Sequence, residues 1–144
     1  MASPLVLARN AIAILWEALT PPTTTHRTYR HLAKELAPLD GVSQHRAFWF
    51  TPVGGSEMLE FSADSANCRH SFTGHLSLVV SHTGLARAFE EVVNEGTLLA
   101  RAINKATSWP ANVDYVGCHR YQATPTESGY RVAFELVARV TEGD

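Results

Sequence analysis

Seven histidines and two cysteines are the side chains in this sequence best suited to chemistry. Cys68 and His70 lie two residues apart, so a strand places them on one face, as a pair of zinc ligands requires. Cys118 and His119 are adjacent, so a regular strand points them apart, and only a bulge or bend lets both reach one ion. His70 and His82 fall on the side of their strand's apolar row and His75 on the other, so no three of these groups converge simply. No metal and no other cofactor is expected. Ser81, His82, Thr83 and Gly84 place a hydroxyl and an imidazole where a strand gives way to a helix, whose N-terminus can hold an anion. The favoured reading of Thr83 is simpler: it caps the helix by accepting a backbone hydrogen bond. The chain has no nucleophile elbow, no H-E-x-x-H pair and no phosphate-binding glycine loop. Its carboxylates fall in loops or on polar faces, so no general-acid/base pair stands out. No catalytic residue is expected, and the chain is read as a non-enzyme.

The element that would position most of these groups runs from Arg69 to Ala106. Phe72, Gly74, Leu76, Leu78 and Val80 alternate with Ser71, Thr73, His75, Ser77 and Ser81, the period of a strand with one buried face. From Leu85 the period lengthens. Leu85, Ala88, Phe89, Val92, Val93, Leu99, Ala100 and Ile103 form one helical stripe, with Arg87, Glu90, Glu91, Asn94, Arg101 and Lys105 opposite. Gly96 lies on the stripe, where glycine costs about 1 kcal/mol against alanine, so it predicts either a close backbone approach or a kink.

Upstream, Ser3 and Pro4 open a helix that runs to about Leu19 and is stopped by Pro21 and Pro22. Leu5, Ala8, Ile12, Leu15, Trp16 and Leu19 form its main face. Leu7, Ala11, Ile14 and Ala18 widen that face to more than half the circumference, so another segment or subunit must cover the surplus. Tyr29, Leu32, Ala33 and Leu36 keep helical spacing and suggest a second short helix over 27–37. Arg46 to Phe50 reads as a short strand with aromatics on both faces, ended by Pro52 and turned by Gly54 and Gly55; Met58 to Phe61 adds strand character. Two aromatic faces require a cover on each side. Downstream, Ser108 to Asn112 marks a turn, Val113 to Ala123 and Tyr130 to Val140 read as strands, and Thr124 to Gly129 is hairpin-loop material.

A length of 144 residues predicts one domain able to bury its own core. The 12 lysines and arginines are scattered and the net charge is −2, which disfavours autonomous nucleic-acid binding. Arg9, Asn10 and Glu17 interrupt the apolar start, which is too polar for a signal peptide and too short for a span, so no membrane partner is expected. The two cysteines are read as free thiols of a reducing cytoplasm.

Taken as a whole, the layout resembles the tail-terminator family of long-tailed bacteriophages. The features that carry the resemblance are the apolar first helix, the Arg46 to Phe50 strand with its long hairpin, the strand-to-helix stretch Arg69 to Ala106, and the final antiparallel pair. It implies an α/β (α+β) subunit: an antiparallel or mixed sheet of about four strands, packed by the N-terminal helix and the long central helix. It further implies a hexameric ring that caps the tail tube, stops its polymerisation and joins it to the head–tail connector protein. DNA would pass through the ring without sequence-specific binding, and the protein would reside in the virion after synthesis in the host cytoplasm. Candidate contacts with neighbouring subunits or tail tube protein are Leu7, Ile14, Phe48, Trp49, Phe50, Met58, Leu59 and Leu98. Two alternatives stand beside this reading: another head–tail connector or tail-completion protein, and a small ligand-binding or enzymatic α+β domain that uses the histidines.

Overall fold

A computed structural model describes residues 4–21, 28–32, 45–61, 65–79, 85–126 and 129–143. Helix α1 (Pro4–Glu17) is followed by strands β1 (Arg30–His31), β2 (Ala47–Phe61) and β3 (Ser65–Val79). Helix α2 (Leu85–Lys105) and strands β4 (Val113–Pro125) and β5 (Gly129–Gly143) complete an α+β fold. The sheet has five strands in the order β1-β2-β3-β5-β4, antiparallel except for the parallel β1–β2 pair. The stretch that begins at Arg69 therefore supplies most of the central strand, β3, which is flanked by β2 and β5.

The alternation in β3 does what period-two patterning requires. Cys68, Phe72, Leu76 and Leu78 are buried, and Phe134, Leu136, Ala138 and Val140 of β5 lie on the same face. Trp16 of α1 is the centre of the packing. Its indole lies 5.2 Å from the ring of Phe48, 5.7 Å from Phe50 and 5.1 Å from Phe134. Its Nε1–H donates to the carbonyl of Leu99 in α2 (3.1 Å), which satisfies the one polar atom the ring carries inward. Gly74 makes room for it, because a Cβ there would stand 3.0 Å from the indole.

Three sequence expectations are corrected. Of the short helix expected over 27–37, residues 28–32 are described, and they are extended. The Arg30 N–H donates to the Arg46 carbonyl (3.0 Å) and the Leu32 N–H to the Phe48 carbonyl (2.8 Å), so pairing with β2 replaces the helical ladder. The break expected at Pro52 to Gly55 is instead a bulge within one continuous strand. Register shifts between Pro52 and Ser56 and again between Met58 and Glu60, so Val53 to Gly55 stand opposite the single Ser71 and Leu59 is an extra residue. Proline and glycine are tolerated there because a bulge relieves the ladder of its usual donors. The strand count rises accordingly from four to five.

The third correction concerns α2. Val92, Leu99 and Ile103 are buried as expected, but Phe89 is 68% exposed and Glu91 and Glu95 face inward. Gly96 is explained by a ring rather than a backbone: a Cβ there would lie 2.6 Å from Tyr121 of β4, whose hydroxyl is 3.0 Å from Thr97 Oγ1. The Gly96→Ala variant is expected to be destabilised despite alanine's helix preference of about 1 kcal/mol, because overpacking costs roughly 1–3 kcal/mol. In a Tyr121→Ala background the same change should become stabilising. Urea midpoints of the four proteins measure both signs.

Candidate functional site

Each interface candidate has a definite placement. Ile14 is 69% exposed on α1. Leu7, on the same helix, is half-buried and packs on the core, and so does Leu98 of α2; neither is a freely presented side chain. Phe48, Trp49 and Phe50 are buried inside the chain, which removes them as surface contacts. The expected cover for the second aromatic face comes from the sheet itself. His75 stacks on Trp49 at 5.4 Å, and the Arg131 guanidinium lies 5.4 Å from the indole centroid. Cross-strand neighbours thus shelter an aromatic for which the periodicity had required a helix or a partner. The side chains of Met58 and Leu59 lie outside the described residues.

The groups singled out for chemistry are dispersed. Cys68 is buried and His70 half-buried on the core face, while His75 on the opposite face sits 2.8 Å from Thr51 Oγ1 through Nε2. Cys118 and His119 do meet a bulge, since the register shifts between Cys118 and Arg120. Even so, Cys118 is buried and His119 exposed. Burial pushes the Cys118 thiol up to about 11, which keeps it protonated and unreactive near neutral pH. Among the described residues no three His, Cys, Asp or Glu side chains are grouped to hold a metal ion. Ser81, His82, Thr83 and Gly84 lie outside the described residues.

The most concentrated chemistry in the molecule is a buried charge cluster that periodicity does not reveal. Arg46 and Glu95 are both fully buried. Arg46 Nε donates to Glu95 Oε1 (2.5 Å) and Nη2 to Oε2 (3.0 Å), the two-pronged geometry in which a guanidinium holds a carboxylate most firmly. The Tyr29 hydroxyl donates to Glu95 Oε1 (2.9 Å), and its ring lies beneath the Arg46 guanidinium at 5.9 Å. Glu91, one turn earlier on α2, approaches Arg46 Nη2 at 3.8 Å and His45 Nε2 at 3.9 Å. Arg46 has φ = 64°, a left-handed conformation that few non-glycine residues adopt. It is held there by its N–H, which donates to the Ser77 carbonyl (2.7 Å), and by its own carbonyl, which accepts from Arg30.

Arg46 was visible in the sequence only as the start of an aromatic strand, and Glu91 as part of a solvated face. The usable signal was that Glu91 and Glu95 stand four apart while Val92, Gly96 and Leu99 bracket them on the apolar side. What the cluster can do chemically is limited by its own pairing. Arg46 and Glu95 neutralise one another at close range, so the pair joins elements rather than presenting a reactive group. Comparison of the chain with known protein families and with curated proteins finds no match.

Two measurements test the cluster. Replacing Arg46 by Met should cost about 3–5 kcal/mol, because Glu95 is left charged and unpaired in the core. The double variant with Glu95→Leu should lose less than either single change, and chemical denaturation of the four proteins reads this directly. Burial, aided by Glu95, raises the Tyr29 pKa well above the ordinary 10.0. A group with a raised folded-state pKa contributes stability that is intact below its unfolded value and lost as pH climbs past it. Stability should therefore fall above about pH 10 by up to ~1.4 kcal/mol per pH unit, and Tyr29→Phe should flatten that slope.

Proposed function

We propose that this chain is a structural subunit of a phage tail, a tail terminator that assembles as a hexameric ring, caps the tail tube, stops its polymerisation and joins it to the head–tail connector. The observation that carries the reading is a pair of separate apolar surfaces. On α1, Ile14 stands in solvent with Val6 two turns before it; on α2, Phe89 stands in solvent with Val93 one turn after it. A ring needs a heterologous contact, in which two different patches on each subunit meet on its neighbours. Large apolar side chains grouped on two helices supply two such patches, where scattered single residues would not.

Two further features support the reading. The α+β architecture, with two helices on one face of a long-stranded sheet, is the kind the resemblance implies. The second face carries the hydroxyl and amide groups of Ser71, Thr73, Gln122 and Thr124 beside the guanidinium groups of Arg69, Arg131 and Arg139, and these polar groups suit a surface that meets DNA phosphates without reading bases. No described helix is long and apolar enough to cross a membrane.

Mass photometry of the purified protein at micromolar concentration, alone and with tail tube protein, is the direct test. A hexameric species is expected, and Ile14→Asp should shift it toward smaller species while leaving the urea midpoint within about 0.5 kcal/mol. A chain that stays monomeric under both conditions and is missing from purified tails would overturn the reading.

A further inference from the structure

Strand β4 is an edge of the sheet, and its hydrogen-bond parity determines which backbone groups face outward. The Thr126 N–H donates to the Gly129 carbonyl (2.8 Å), closing the β4–β5 hairpin with a hydrogen-bonded pair. Counting back by twos, Thr124, Gln122 and Arg120 pair with β5, so Tyr121, Ala123 and Pro125 turn their backbone groups away from the sheet. Beyond the bulge at His119, the same outward geometry returns at Cys118, and there it is already used. The Asn104 side chain of α2 accepts from the Cys118 N–H through Oδ1 (2.9 Å) and donates to the Cys118 carbonyl through Nδ2 (3.0 Å). One amide side chain thus stands in for one residue of a neighbouring strand.

The protection stops at that point. No described residue takes the outward N–H and C=O of Tyr121 or of Ala123. Edges left in this state are templates for an added strand unless a bulge, proline or charge blunts them, and here those devices flank the open segment at His119 and Pro125. Its surroundings are specific. The Tyr121 hydroxyl donates to the Val93 carbonyl (3.3 Å), which sets Val93 of α2 beside this part of β4, and the exposed Phe89 stands one turn before it on the same helix. At the Asn104 end lies an open groove of about 370 Å³ whose lining includes Arg101, His119, Arg120 and no carboxylate. Arg120 is engaged by Glu135 (2.5 Å), which leaves Arg101 and His119 as the groove's polar recognition groups.

We propose that the outer edge of β4 from Tyr121 to Pro125 docks an extended segment of a partner protein as a sixth strand. The segment presents an apolar side chain to Phe89 and Val93 and a carboxylate, from an acidic residue or a chain terminus, to Arg101 and His119. Backbone pairing supplies the affinity, and the apolar wall and cationic end supply the selectivity. Phe89 and Val93 also form one of the two patches proposed for the ring contact, so docking at this edge and that contact exclude one another on a given subunit.

The probe is a short peptide of alternating valine and threonine ending in aspartate with a free carboxylate. Its controls are the same peptide N-methylated at every residue, which leaves neither edge able to donate, and a version ending in lysine amide. Hydrogen exchange of the full chain, followed by NMR, reads out the amides of Tyr121 and Ala123. At millimolar acid-ended peptide both should slow by about tenfold or more, and the N-methylated control should leave them unchanged, since it cannot complete the ladder. Ala123→Pro removes one outward N–H and should abolish the protection. Arg101→Glu leaves the edge intact and should erase the preference for the acid-ended over the lysine-ended peptide, so a folding defect in the proline variant does not decide the result. Equal protection by the N-methylated peptide, or none by any peptide, would overturn the proposal. So would protection that already appears in the free protein and grows with its concentration, because the edge would then be taken by a second copy.

Discussion

The bidentate contact between Arg46 and Glu95 is the constraint on which the rest of this fold turns. Arg46 stands where the chain enters β2, and Glu95 lies near the middle of α2, so one contact sets the helix against the sheet. Tyr29 brings β1 to the same point by bonding the same carboxylate. A buried ion pair is not by itself a large source of net stability, because desolvating both partners offsets much of their attraction. Its effect is on uniqueness. An apolar α2 surface could slide or rotate over the Val and Leu side chains beneath it, but a fully buried carboxylate has only one acceptable position here. The left-handed backbone at Arg46 is the conformational cost of delivering the guanidinium there.

That constraint explains why α2 presents a face different from the one its apolar residues suggest. With Glu95 and Glu91 turned inward to Arg46, the helix is rotated so that Phe89 and Val93 leave the core. The rotation also brings Gly96 under the Tyr121 ring and Asn104 to the edge of β4. The exposed apolar stripe and the capped sheet edge therefore both follow from the orientation of α2, which the buried pair fixes together with the Trp16–Leu99 and Asn104–Cys118 hydrogen bonds. They are not separate accidents of the surface.

What was legible in the sequence follows from the same physics. Strands β3 and β5 and the existence of α2 were readable because each has a one-sided apolar pattern over ten or more residues, while α1 was readable from its wide apolar face between Pro4 and Pro21 and β4 from its tyrosine and valine content. Strand β1 was not, since a two-residue strand exists only through its partner and Tyr29 and Leu32 happen to keep helical spacing. The continuity of β2 was hidden by Pro52, Gly54 and Gly55, which signal a turn in isolation and a bulge in a paired strand. Phe48, Trp49 and Phe50 drew notice as surface candidates because both sides of the strand are aromatic. A sequence does not record that His75 and Arg131, far apart in the chain, meet over Trp49. Ile14 was correctly assigned to the surplus apolar face of α1, because that inference needed only the width of a stripe.

A binding surface in a protein of this kind is defined by what the fold leaves unsatisfied, and two sorts of unsatisfied group behave differently. An exposed apolar side chain such as Ile14 is compatible with many partners and states little about any of them. An outward backbone N–H and C=O at a sheet edge pairs with another strand, or with an amide side chain placed as Asn104 is, at one spacing and in one plane. Where the two lie together, as at Phe89, Val93 and Tyr121, the backbone supplies the geometry that the apolar contact lacks. The Asn104 amide sharpens this contrast. A residue in α2 has been placed to close one rung of the edge, so leaving the next two rungs open is a selective feature of the surface, and the surface is as much a product of the buried Arg46–Glu95 pair as the core is.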